Sequence, residues 1–180
     1  MELAQDVVES LALLSNGLDE EWSELGRAAW DVEVVEPRDN PDLGPIRLGR
    51  LPLLRLTEVE VHGTDLGLNL GDWSELFIST VLPMRIESLN IRRTNHRAFD
   101  TELEGSWLLV ADDGPTYKVT VDGTKVESRP ANPQSRARAV IETTGRDLLA
   151  LLLGRSLNSP PVITGDIAFG QSFSLAFLGP

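Results

Sequence analysis

Apolar residues Leu3, Val7, Val8, Leu11 and Leu14 recur near helical spacing, which predicts a helix over residues 2–15. Asn16-Gly17 predicts its end, and Asp19 a cap for a second short segment carrying Trp22 and Leu25. Residues 36–45, EPRDNPDLGP, hold three prolines and read as a loop. Helical character resumes at Pro52, a residue suited to a first turn, and continues through Leu53, Leu56, Val59, Val61 and Leu66. Gly63 and Gly67 loosen its far end. Asp72 is the expected N-cap of a helix from Trp73 to Asn90, with Glu75 completing a capping box. Pro83 falls inside that run and should kink or divide it.

The pattern changes near residue 100. Trp107-Leu108-Leu109-Val110 is a short apolar run closed by the turn Asp112-Asp113-Gly114-Pro115. Tyr117, Val119 and Val121 alternate with polar residues, the period of a strand with one buried face. Asp122-Gly123 is a hairpin turn, and Lys125 to Arg129 the return strand. A polar loop over 130–137 leads to a strand at Ala139–Thr143. Thr144 then caps a helix from Gly145 to Leu153, Asp147 lies near its positive end, and Gly154 ends it. Residues 162–178 suggest terminal β structure around Gly165-Asp166. The fold class that follows is a two-part chain: a helical first part, then a small α+β domain, with the boundary at residues 94–104.

With 180 residues, 41 % hydrophobic and 24 % charged, the chain can build a packed core. No apolar run approaches the roughly 18 residues that span a bilayer, so no membrane association is expected. The N-terminus has no basic segment ahead of its apolar residues and does not resemble a signal peptide. The absence of cysteine excludes disulfides, thiolate zinc sites and a cysteine nucleophile. A cytoplasmic protein is expected. The net charge of −12 repels a phosphate backbone, so nucleic acid is not an expected partner; the same charge also serves solubility. The charge is uneven. Residues 1–36 carry ten carboxylates against one arginine, whereas residues 85–97 carry four arginines opposed by Glu87.

Within the segment RLTEVEVHGTDLGL, Glu58 and His62 are four residues apart, about one helical turn, and share a face. That is how one helix offers two ligands to one metal ion. The same spacing also suits a surface ion pair. Asp65, three residues beyond His62, fits the same face, helix termination or an ion pair. Catalytic zinc usually has three protein ligands and an open position. The other histidine, His96, has no surroundings that mark it as a ligand.

RLTEVEVHGTDLGL, with the preceding Leu51-Pro52-Leu53-Leu54, resembles the third-helix signature of the mycothiol-dependent maleylpyruvate isomerase family. ARAVIETTGRDLLALLLGR, residues 137–155, resembles the second domain of that family, and the resemblance extends over residues 1–178. It implies a partial DinB-like helical bundle over residues 1–97 and a sterol-carrier-like α+β domain over residues 104–180. It implies a divalent metal, typically zinc, on Glu58 and His62, with mycothiol as thiol cofactor. The family's further histidine, on an earlier helix, has no counterpart before residue 62, so the chain is expected to lack the family's N-terminal portion. An arginine of the second domain, Arg155 or else Arg146, is expected to bind the carboxylate of a small-molecule substrate or the cofactor, as guanidinium does bidentately. A cation near a helix end is also favoured by the helix dipole. Trp73 and Trp107 are expected to pack rather than to touch a ligand. The implied function is metal-assisted isomerisation or thiol transfer. The alternative is a catalytically inactive relative that binds a small ligand or a protein. An incomplete bundle would expose an apolar seam that a second copy could cover, which makes a homodimer an expected assembly.

Overall fold

Helix α1 runs unbroken over Glu2–Glu24 in the computed structural model, which describes residues 2–35, 45–66, 72–92, 103–112, 114–123 and 125–177. Asn16-Gly17 does not stop it. An exposed glycine costs a helix only about 1 kcal/mol relative to alanine, and the residues that follow sustain the backbone ladder. Asp19 caps nothing; its carbonyl accepts from Ser23 Oγ at 2.7 Å, one turn further along the same helix.

The chain divides into two compact units, Met1–Arg55 and Leu56–Pro180. The division falls within α2 (Leu51–Asp65), where Pro52 occupies the first turn. The expected boundary at 94–104 lies mostly outside the described residues. The first unit also holds a one-turn 3-10 helix at Arg27–Asp31, strands β1 (Glu33–Val35) and β2 (Pro45–Arg47), and a second 3-10 turn at Leu48–Arg50. The two strands pair antiparallel with Val34 opposite Ile46. They interrupt what the apolar pattern suggests is an all-helical half, because three-residue strands are too short to show an alternation. Most of the expected loop between them, residues 36–44, lies outside the described residues.

The second unit is built on a five-stranded sheet of β3 (Gly105–Ala111), β4 (Thr116–Asp122), β5 (Lys125–Pro130), β6 (Ala139–Thr143) and β7 (Val162–Gly165). The order is β5-β4-β3-β6-β7. β3 and β6 run parallel, with Leu109 opposite Ile141, and the other neighbours are antiparallel. Trp107, Leu109, Val119, Val121 and Ile141 belong to the core on one face of this sheet. Helix α3 (Glu75–Arg92) buries Phe77, Val81, Leu82, Ile86 and Leu89, a stripe at helical spacing, and packs against β5 and α4 (Gly145–Leu153). Pro83 neither ends nor divides α3. It sits on the exposed side, where water can satisfy the carbonyl that the missing N–H frees. The cap of α3 is Ser74 rather than Asp72: Ser74 Oγ accepts from Phe77 N at 3.2 Å, and Asp72 instead accepts from Trp73 N at 2.9 Å.

The C-terminal segment departs from expectation. Only Val162–Gly165 is a strand; α5 (Ile167–Gln171) and α6 (Phe173–Ala176) follow it. Asp166 caps α5, its side chain accepting from Phe169 N. Phe169, Phe173 and Phe177 recur every four residues and surround Trp107. Phe169 stacks on it at 4.1 Å, while Phe173 and Phe177 meet it edge-on at 5.7 and 5.8 Å. The Trp107 Nε1–H donates to the Phe169 carbonyl at 2.8 Å. Among the described residues no helix is long and apolar enough to cross a membrane.

Candidate functional site

The exposed face of α2 carries the first site residues. His62 Nε2 lies 3.0 Å from Glu58 Oε2, one turn back, and His62 Nδ1 lies 3.3 Å from Asp65 Oδ2, one turn on. The imidazole is therefore bracketed by two carboxylates along a single helix. The opposite face of the same turn anchors it. Trp73 is buried, and its Nε1–H donates to the Glu60 carbonyl at 3.2 Å and to Thr64 Oγ1 at 3.0 Å. Ser74 Oγ donates to Glu60 Oε1 at 2.7 Å.

Arg155 reaches this cluster from α4. Thr144 caps that helix, accepting from Asp147 N, and Gly154 ends it in the left-handed conformation at φ 65°. The turn made by Gly154 brings Arg155 N to the Ala150 carbonyl at 2.9 Å. Arg155 Nη2 donates to Asp65 Oδ2 at 2.8 Å, and its Nη1 donates to the Leu153 carbonyl at 3.2 Å. Its Nε is buried without a partner. Glu58, His62 and Arg155 are thus gathered in one place, joined through Asp65.

Arg146 is committed elsewhere. It bridges Asp72 Oδ1 at 3.0 Å, Asp147 Oδ1 at 2.9 Å and the Ser156 carbonyl at 3.0 Å, with its guanidinium 4.7 Å from the centre of the Trp73 ring. Asp147 is buried and also accepts from Asn158 N and Ser159 N. Burial acts to raise the Asp72 carboxyl, but hydrogen bonds from Arg146, Trp73 N and Asn158 and the Arg146 charge outweigh it and hold it below its ordinary 3.8. This second network braces the start of α3 against α4. Sequence reasoning assigns Asp147 a dipole role and misses the bracing, because its partners in the segment after α4 have no local signal.

The donor types at Glu58 and His62 suit zinc, which takes imidazole nitrogen and carboxylate oxygen. The two ring nitrogens point apart, so a metal on Nε2 could share Glu58 but not Asp65. Among the described residues no group of three or more His, Asp or Glu could hold a metal ion. The described residues supply two of the three protein donors usual at catalytic zinc. His96 lies outside them.

A groove of about 420 Å³ opens on another part of the same unit, lined by Glu75, Ile78, Ser79, Leu82 and Pro83 of α3, the turn Gly114-Pro115, and Gly145.

No protein-family model matches the chain, and no curated protein matches it. Among solved structures, the chain is similar to the crystal structure of Sterol Carrier Protein 2 Like 2 from Aedes aegypti, at 15 % identity over 54 % of this chain and 97 % of that chain, with a TM-score of 0.41. That likeness is too slight to carry a fold assignment.

Proposed function

We propose that the chain holds a divalent metal ion, zinc by donor type, at Glu58 and His62 Nε2, and serves thiol chemistry of the mycothiol-dependent maleylpyruvate isomerase type. The observation that carries the reading is the pair itself: a carboxylate oxygen and an imidazole nitrogen 3.0 Å apart on an exposed helix face, with the other ring nitrogen separately engaged. A bound zinc ion would supply the Lewis acidity that makes a thiolate available near neutral pH. The protein contributes position. Glu58 and His62 present two donors from adjacent turns, and α2 is fixed beneath them through Trp73 and Ser74. A small-molecule substrate, mycothiol as the thiol and a cytoplasmic setting accompany this reading.

Metal analysis and zinc titration of the full chain test it. The wild type should take up about one zinc ion, and Glu58→Gln and His62→Gln should each lose most of the affinity. A wild type that binds no zinc would sink the reading.

The groove favours a second reading, a module that binds a small apolar ligand, because Ile78, Leu82, Pro83 and Pro115 give it an apolar lining. An apolar fluorescent probe that binds the metal-free wild type and is excluded by Ser79→Trp would support it. Binding unaffected by Ser79→Trp would count against it.

A further inference from the structure

Helix α1 presents an apolar stripe that its own unit leaves open. Leu14, Leu18 and Trp22 follow at four-residue spacing and share a face. Leu14 is 73 % exposed, and Leu18 and Trp22 are only half-buried. Arg55 holds the helix from beside the stripe, its Nη2 donating to Ser15 Oγ at 2.6 Å. A helix in water normally turns such a stripe toward a core. Charge shows what kind of surface fits this one. α1 carries seven carboxylates and neither lysine nor arginine. Asp19, Glu20, Glu21 and Glu24 crowd its C-terminal turns, where the helix dipole is negative and cations are favoured. Two of them flank the stripe. Glu21 is exposed and lies along one edge, seven residues past Leu14 and three past Leu18. Asp19, also exposed and three residues before Trp22, borders the other edge.

We infer that α1 is the docking face for a basic amphipathic helix of another protein. Its apolar residues would lie on Leu14, Leu18 and Trp22, and its lysines or arginines beside Asp19 and Glu21. Covering the stripe draws both carboxylates partly out of water, which is costly unless each meets a cation. An exposed apolar seam by itself suits a second copy of the chain. The charge does not, because a second α1 laid along the first would bring like charges to the same edges. The docking face is independent of any metal at Glu58 and His62.

The test uses the full chain and two synthetic peptides about six helical turns long. Both carry leucine at alternating three- and four-residue spacing, flanked in one by lysine and in the other by glutamate. In fluorescence-anisotropy titrations the lysine peptide should bind and the glutamate peptide should not. Binding should weaken as salt rises from about 0.05 M to about 0.5 M. Leu14→Asn should weaken it about 10-fold, and because Leu14 is exposed the fold should stay intact. Glu21→Gln should weaken it several-fold and flatten the salt dependence. Hydrogen exchange in α1 should slow when the lysine peptide is added, with β3 and β4 unchanged. The inference falls if the lysine peptide fails to bind, or binds wild type and Leu14→Asn alike. It also falls if wild type sediments as a dimer that Leu14→Asn dissociates, which would make a second copy the occupant. Flotation of wild type, but not Leu14→Asn, with phosphatidylcholine vesicles would assign the face to lipid and overturn it too.

Discussion

Trp107 is the side chain around which Phe169, Phe173 and Phe177 gather. It is fully buried, stacked on Phe169, and bonded through Nε1 to the Phe169 carbonyl. Trp107→Phe should cost about 1 kcal/mol, the net value of one hydrogen bond, because the Phe169 carbonyl still accepts from Ser172 Oγ at 2.7 Å. Trp107→Ala should cost about 3–5 kcal/mol, because a cavity is added. Both should appear as a lower urea midpoint at unchanged slope. Asp72 allows a prediction with a sign. Its folded-state pKa lies below the ordinary 3.8, so its contribution to stability is present above that value and is lost as pH falls through the lower, folded value. Asp72→Asn should therefore melt below wild type at neutral pH and coincide with it in strong acid. The group is more than half exposed, so the difference should stay under about 1 kcal/mol. Melts from about pH 2 to pH 7 check both statements. Of the candidate site, the pairing of Glu58 with His62 was legible because one helical turn is a local rule. The link from Asp65 to Arg155 was not, since it depends on where the fold brings α4.

Close packing of α5 against β7 sets a constraint at the scale of elements. A Cβ on Gly170 would lie 2.4 Å from Ile163 Cγ2, so Gly170→Ala should destabilise by about 1–3 kcal/mol through overpacking. Ile163→Ala should relieve part of that, and a double-mutant cycle of thermal melts should return a coupling of opposite sign to the single effects. The elements easiest to read were those with both a period and punctuation. β4 alternates and ends at Asp122-Gly123, and α4 begins at Thr144 and ends at Gly154. Where punctuation stood alone it misled, as Asn16-Gly17 did within α1. The expectation of β structure over residues 162–178 rests on Gly165-Asp166 and passes over Phe169, Phe173 and Phe177, one every four residues. That spacing is close to a helical period, and Phe169 and Phe173 fall in the two short helices α5 and α6. The parallel pairing of β3 with β6 had no local signal, because register between strands so distant is decided by the sheet as a whole.

On the scale of the whole molecule, the two units differ in how much they bury. Among the described residues with assigned burial, none before Thr57 is buried, whereas the second unit holds a continuous core from Val61 to Phe177. Hydrogen exchange should follow that difference. Amides of α1 should exchange many-fold faster than those of β3, β4 and β6, and equal protection in the two units would contradict it. The order β5-β4-β3-β6-β7 has a further consequence for how copies of the protein behave toward one another. It leaves β5 and β7 as the outer strands, the places where one sheet can recruit another into an aggregate. β5 buries Val126 but turns Lys125, Glu127 and Arg129 outward and finishes in Pro130, while β7 is only four residues long. Charges, a proline and brevity are all obstacles to edge-to-edge growth. Replacing Lys125, Glu127 and Arg129 together by threonine should leave the fold intact yet raise light scattering on concentration, because the rim that keeps neighbouring sheets apart would be gone.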